Sequence, residues 1–294
     1  MPLRSTWCDT GQLVDAITPV DVVELINTDH GTDFALLGPF DVGREGAWAI
    51  ASSTDRAVLK YSGEPTQHLH MPRLAAHLRA CGYPTPAVLL AGATEAFGYH
   101  LVEFVQGARP PGWGRKLEGD TLDVLFDLVD RGAGIAPPVG TDWSAALVDK
   151  VFADGFNLQR RCSADVADAI GELLADLDPP PATLTPESDF VHGDFGPHNV
   201  LITDNGPMVL DIMTGGSGSR VIDLADLLAG TAEGERHRVE SAMGAASNPE
   251  LAVIALAYQA LHWLWRDVEY GVQPEWSLHH LRRSAALIRS SKRA

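Results

Sequence analysis

In the stretch FVHGDFGPHNVLITDNGPMVLDI, residues 190–212, an acid, an amide and a second acid fall at Asp194, Asn199 and Asp211. That set suits phosphoryl transfer. The loose transition state of that reaction leaves the protein little covalent work, so it must position a hydroxyl and hold Mg2+ against phosphates. Asp194 can accept the hydrogen bond, and later the proton, of an attacking hydroxyl. Asn199 and Asp211 offer hard oxygens to Mg2+, which binds through few protein groups plus phosphates.

For these groups to meet, the chain between them must double back. Residues 200–203 and 208–212 are apolar and β-branched, and Asp204-Asn205-Gly206 separates them. Asn-Gly tolerates positive φ, so the pattern predicts a hairpin with all three groups around its mouth. Protein kinases carry the same order: a catalytic-loop Asp, an Asn five residues on, then a metal Asp after a hairpin.

HGDFGPHNVL followed by VLDI resembles the aminoglycoside phosphotransferase family, the small-molecule branch of the kinase-like fold. That branch has H-G-D-x-x-x-x-N where protein kinases have H-R-D. The resemblance runs in order through nearly the whole chain, but only 190–212 is highly specific. It implies a two-lobed kinase-like α/β (α+β) fold, with a β-rich N-lobe over 1–105 and a mostly helical C-lobe over 106–294. It also implies ATP- or GTP-dependent phosphorylation of a small-molecule hydroxyl. Asp194 would be the base, His192 would brace the catalytic loop, and Asn199 and Asp211 would hold Mg2+.

Further residues match in turn. Lys60, one of four lysines, ends the apolar run AVLK and matches the strand-three lysine that pairs with nucleotide phosphates. Glycines at 38, 43 and 46 suit a loop closing over phosphates, with Gly43 at its centre; they suit a plain hairpin equally. No Lys-Ser or Lys-Thr follows, so this is not a G-x-x-x-x-G-K-[ST] loop. YHLVEFV, 99–105, is a strand running into the hinge, where backbone groups of about Glu103 to Val105 would bind the purine edge. The Pro/Gly-rich GARPPGWGRK then marks a lobe boundary.

One departure stands out. The helix after Lys60 should carry an acid for it, yet 68–72 reads HLHMP, and Glu64, before Pro65, is the nearby candidate. His68, His70 and His77 invite a metal, but no cysteine or acid completes the set, which suits exposed or satisfied histidines better. Later in the chain, Asp223 matches the family's buried aspartate, while Ser219-Arg220 stands where the family often has Asp-Pro.

The remaining elements are predicted from pattern. Residues 10–28 read as a helical preface, in which Thr18-Pro19-Val20-Asp21 places an N-cap before an apolar run to Ile26. Strands are expected at 34–37, 48–52 and 57–61, and helices at 121–131, 142–159, from Ser163 onward, 249–270 and 276–289.

Composition bounds the function. The 294 residues suit two lobes sharing a cleft, and 45% hydrophobic content is ample for a core. No run approaches a membrane span, MPLRSTWCDT lacks a signal-peptide pattern, and Cys8, Cys81 and Cys162 are too few and scattered for a disulfide framework. A reducing cytoplasm is expected. Net charge is −17, and five of the 22 basic residues lie in 279–294, so residues 1–278 carry 39 acids against 17 bases, a net −22. That field disfavours nucleic acid and anionic membranes and favours a cationic acceptor; it equally serves solubility alone. An antibiotic is the favoured acceptor, with Asp267, Glu269 and Glu275 near Trp263, Trp265 and Trp276 as its candidate wall. The rivals are a metabolic kinase for a sugar, choline, amino-alcohol or homoserine, and a nucleotide-binding pseudokinase.

Overall fold

Thr18 starts the first helix among the described residues as its sequence predicts. Its hydroxyl accepts the Asp21 amide, and the Asp21 carboxylate accepts the Thr18 amide at 2.8 Å. Such a reciprocal cap contributes about 0.5–2 kcal/mol. The computed structural model describes residues 17–40, 47–108, 116–178, 188–246, 249–271 and 275–291. Gly43, Cys8, the linker 109–115 and Asn248 lie outside the described residues.

Helix α1 (Pro19–His30) ends at Gly31, whose φ of 64° favours glycine. Strands β1 (Ala35–Pro39), β2 (Ala47–Ala51) and β3 (Arg56–Ser62) follow, then helix α2 (Pro65–Ala80), β4 (Val88–Ala93) and β5 (Gly98–Glu103). The five strands form one antiparallel sheet in the order β1-β2-β3-β5-β4. Val22, Val23 and Ile26 of α1 pack with Ile50, Leu59, Tyr99 and Leu101 into its own apolar cluster. Register sets Lys60 opposite Ala47 on one side and His100 on the other.

Helices dominate the rest. After α3 (Gly119–Arg131) come the short β6 (Thr141–Asp142), α4 (Trp143–Gln159) and α5 (Ala164–Asp176). Strand β7 (Asp189–Val191), the hairpin β8 (Val200–Thr203) and β9 (Gly206–Val209), and β10 (Gly216–Gly218) carry the chemistry-bearing stretch. Four helices close the chain: α6 (Val221–Gly230), α7 (Arg236–Ala246), α8 (Pro249–Glu269) and α9 (Glu275–Ser291). The apolar faces of these and of α4 and α5 bury Leu147, Leu173, Leu228, Leu261 and Ile288 in one continuous core. The chain is thus mixed α/β, antiparallel sheet first and helices after, as the expected fold class has it. No helix among the described residues is long and apolar enough to cross a membrane.

Departures from pattern have local causes. The hairpin turn holds, but its positive φ falls on Gly206 at 104°, not on Asn205. The second strand stops at Val209, short of the expected 212, because Asp211 takes a left-handed φ of 56°. Ser163 precedes α5 with its hydroxyl bonded to Asp165, not to a backbone amide. Helix α7, RHRVESAMGAA, has too few apolar residues to be seen in sequence. The strand GSG of β10 exists because Gly216 must touch the Thr141 backbone, where any Cβ would collide.

Besides His192, four histidines among the described residues are buried: His68, His100, His262 and His280. Burial depresses their pKa values, to about 4, 3, 4 and 3 in that order. Each therefore stays neutral in the fold and charges on unfolding, so its contribution is full above about pH 6.5 and is lost as pH falls towards the folded value. Asp154 and Asp223, raised to about 6 by burial, act with the opposite sign between about pH 6 and 4. His280 lies away from the chemistry and isolates the effect. Relative to wild type, His280→Gln should shift the stability difference between pH 7 and pH 5 by roughly 2 kcal/mol in favour of acid. Denaturant titrations at both pH values measure it, and parallel pH dependence in the two proteins would count against the neutral buried imidazole.

Candidate active site

Strand β7 delivers His192 into the core with no exposed surface. The imidazole Nε2 donates to the Leu210 carbonyl at 2.8 Å, and Nδ1 accepts the Asp194 amide at 3.3 Å. Both ring nitrogens are spent on backbone, which fixes one neutral tautomer. The Thr214 hydroxyl holds the His192 carbonyl at 2.8 Å. Beneath the loop, Asp223 accepts the amides of His192 and Gly193 at 2.8 and 2.9 Å. Burial pushes the Asp223 carboxyl up to about 6, and those two amides pull against it. Gly193, at φ 82°, is required because a Cβ would strike the Trp143 ring.

That bracing presents Asp194 at the surface of the loop, with its side chain 31% exposed. Its Oδ2 lies 3.5 Å from His198 Nε2 and its Oδ1 3.5 Å from an Arg266 guanidinium nitrogen. Burial opposes ionisation here, but His198, His262 and Arg266 outweigh it and hold the carboxyl far below the usual carboxylate range. Asn199, in the short turn of helix Pro197–Asn199, donates its amide to the Asp194 carbonyl at 2.8 Å. Its own carbonyl accepts the Leu210 amide at 2.7 Å, tying the loop to the far end of the hairpin. Asp211 follows directly, and Lys60 Nζ reaches its Oδ1 at 2.7 Å across from the sheet. Burial works against the Asp211 charge, and the lysine restores it, leaving the pKa lowered. Four of the sequence-predicted residues, Asp194, Asn199, Asp211 and Lys60, therefore converge.

The segment that follows β5 is joined to this site by backbone. Past β5, Ala108 and Ile202 of β8 exchange both amide bonds, at 2.7 and 3.0 Å. Gly107 permits the approach, since a Cβ there would sit 2.8 Å from the Ile202 carbonyl. The Glu103 amide, at the end of β5, is bonded to the Ala87 carbonyl at 2.9 Å.

Glu64 does not hold Lys60. It sits at the N-cap of α2, where its side chain makes no capping bond. A histidine pair stands on that helix and the adjoining strand instead. His68, with no exposed surface, bonds His100 through Nδ1 at 2.8 Å and Ser62 through Nε2 at 2.8 Å. Among the described residues no three His, Cys, Asp or Glu side chains form a metal group, which includes His68, His70 and His77.

The late helices are occupied differently from the sequence expectation. Asp267 accepts the Ser277 hydroxyl, and Glu269 pairs with Arg161 at 2.8 Å. Of the three tryptophans, Trp263 points to the site. Its indole N–H donates to buried Asp226 at 3.0 Å, and Arg266 lies over its ring, 4.9 Å from the centroid. Burial and the Asp194 charge push the Asp226 carboxyl well above its ordinary pKa, and the Trp263 N–H pulls against them. Neither Arg266 nor Asp226 carries a motif, and no sequence pattern marks them.

The family model for the phosphotransferase enzyme family matches residues 48–264. No curated protein matches the sequence. Solved structures match in fold. A thermostable mutant of the aminoglycoside phosphotransferase APH(4)-Ia, in ternary complex with AMP-PNP and hygromycin B, has a TM-score of 0.60 at 18% identity, covering 92% of this chain and 98% of its own. The spectinomycin phosphotransferase APH(9)-Ia, with ADP and spectinomycin bound, gives 0.58 at 12% identity, over 95% and 99%. A protein assigned as a fructosamine-3-kinase, from Haemophilus somnus 129PT, gives 0.55 at 13%, over 91% and 96%.

Proposed function

The chain belongs to the phosphotransferase enzyme family, and on that premise we propose that it moves the γ-phosphoryl group of ATP or GTP to a hydroxyl of a small molecule, with an antibiotic as the favoured acceptor. The observation that carries this reading is the convergence of Asp194, Asn199, Asp211 and Lys60 at one hairpin mouth. Asp194 receives the acceptor's hydroxyl. His192, with both nitrogens bonded to backbone, braces the loop and gives up no proton. Lys60 exchanges Asp211 for nucleotide phosphates. The Glu103 carbonyl and Val105 meet the purine, in a nucleotide-binding lobe that ends near residue 105.

The residues present fit Mg2+. Asn199 spends its amide N–H on the Asp194 carbonyl, which leaves Oδ1 for a ligand, and Asp211 keeps one carboxylate oxygen beyond the one on Lys60. An amide oxygen and a carboxylate beside phosphate oxygens is a donor set this ion takes. When bound, it neutralises charge on the transferring group.

Hygromycin B and spectinomycin in structurally similar proteins support an antibiotic acceptor. The net −22 of residues 1–278 supports long-range attraction of a cationic one. Glu269 is spent on Arg161, while Asp267 accepts a neutral hydroxyl and keeps its charge, so the field of the whole chain adds to what Asp267 and Glu275 offer locally. A second reading, a metabolic kinase, draws on the structural similarity to a protein assigned as a fructosamine-3-kinase. The complete Asp194, Asn199 and Asp211 set speaks against a pseudokinase.

An assay of nucleoside diphosphate release, run with a panel of hydroxylated antibiotics and metabolites, decides. One acceptor should stimulate release well above the acceptor-free rate. Stimulation by a sugar or amino-alcohol and by no antibiotic would transfer the case to the metabolic kinase, and nucleotide binding without stimulation would sink both.

A further inference from the structure

The site holds a cation that the roles above leave unused. Arg266, on α8, lies 3.5 Å from Asp194 Oδ1 with 28% of its side chain exposed. At that distance the contact is loose, and a guanidinium has five N–H donors to give. Its position is nonetheless fixed. One face rests on Trp263, and the Trp263 indole is pinned to Asp226, itself 4% exposed on α6. A cation on an aromatic face, held by a buried partner, keeps its donors aimed without a carboxylate clamp.

Resting on the functional reading above, we propose that Arg266 is a catalytic residue, which turns its free donors from Asp194 to the oxygens of the transferring phosphoryl group. Lys60 and the Asp211 side of the site serve the nucleotide from the sheet. Arg266 comes from the helical side, next to the residue that receives the acceptor. As the acceptor oxygen bonds to phosphorus, the bond from phosphorus to the bridging oxygen breaks. The nucleoside diphosphate leaves with that electron pair, and the acceptor proton passes to Asp194. Charge spreads over the three equatorial oxygens during this exchange, and a fixed guanidinium beside them stabilises it. The same contact relieves Asp194 of its neighbour when the carboxylate is needed by the hydroxyl.

The test needs no knowledge of the acceptor. Binding of Mg-ADP is measured with and without aluminium fluoride, a mimic of the phosphoryl group in transfer, for wild type, Arg266→Met and Arg266→Lys. Methionine keeps an apolar stem over Trp263, and unfolding temperatures check that both variants fold. The gain in affinity on adding fluoride should fall roughly 10- to 100-fold in Arg266→Met, as expected for a lost charge-assisted hydrogen bond. Arg266→Lys should keep part of the gain, and Mg-ADP alone should bind all three alike. An undiminished fluoride gain in Arg266→Met overturns the proposal, as does an equal loss of Mg-ADP and fluoride binding, which marks a merely structural arginine. A wild type that binds Mg-ADP and fluoride yet phosphorylates no acceptor sinks the functional reading while leaving the Arg266 comparison decisive.

Discussion

Asp194→Asn is expected to lower kcat by roughly two to four orders of magnitude, the range of a positioned base, while Mg-nucleotide affinity changes little. Asn199 is bonded to the Asp194 backbone carbonyl, so the substitution leaves that contact in place. What is lost is the carboxylate between His198 and Arg266. Those partners hold its pKa far down, which makes it a weak base in the resting site. Its main task is then to orient the hydroxyl and to take the proton late, as the oxygen–phosphorus bond forms. Single-turnover transfer measured beside nucleotide titration separates these effects. A variant that keeps more than a tenth of wild-type turnover, with chemistry rate-limiting, would remove Asp194 from the role.

Asp211→Ala is expected to weaken Mg-nucleotide binding and turnover together, by two or more orders of magnitude in turnover, since charge neutralisation at the phosphoryl group contributes several kcal/mol. The substitution removes the proposed metal oxygen and the carboxylate that holds Lys60 at 2.7 Å. It does not relieve the backbone, because alanine tolerates a φ of 56° less readily than aspartate does. Calorimetric titration of Mg-ATP and Mg-GTP into both proteins, with matched turnover, measures the effect. Unchanged affinity and unchanged turnover would reduce Asp211 to a hairpin end.

What the sequence revealed follows from how local the information is. Asp194 and Asn199 are five residues apart in one loop, and two short strands return the chain to Asp211, so spacing alone announces their meeting. The Thr18 capping box is equally local, closing within three residues. Arg266 reaches Asp194 across 72 residues, and His68 meets His100 across 32. Those contacts exist only after the helices and sheet have packed, and arginine or histidine at such positions reads as ordinary surface. The strand end at Val209 was hidden for another reason. LDI continues the apolar pattern, and nothing in it discloses that Asp211 turns left-handed.

The histidine pair on α2 and β5 has a consequence for control. In protein kinases an acid on the equivalent helix grips the strand-three lysine, and swinging that helix in or out turns the enzyme on or off. Here the helix offers neutral imidazoles, and the lysine is gripped by Asp211 from within the site. Displacing α2 would break no ion pair with Lys60, so a regulator binding there has no charge to withdraw. If the chain acts as proposed, control of the kind protein kinases exert through that helix finds no ion pair to act on here.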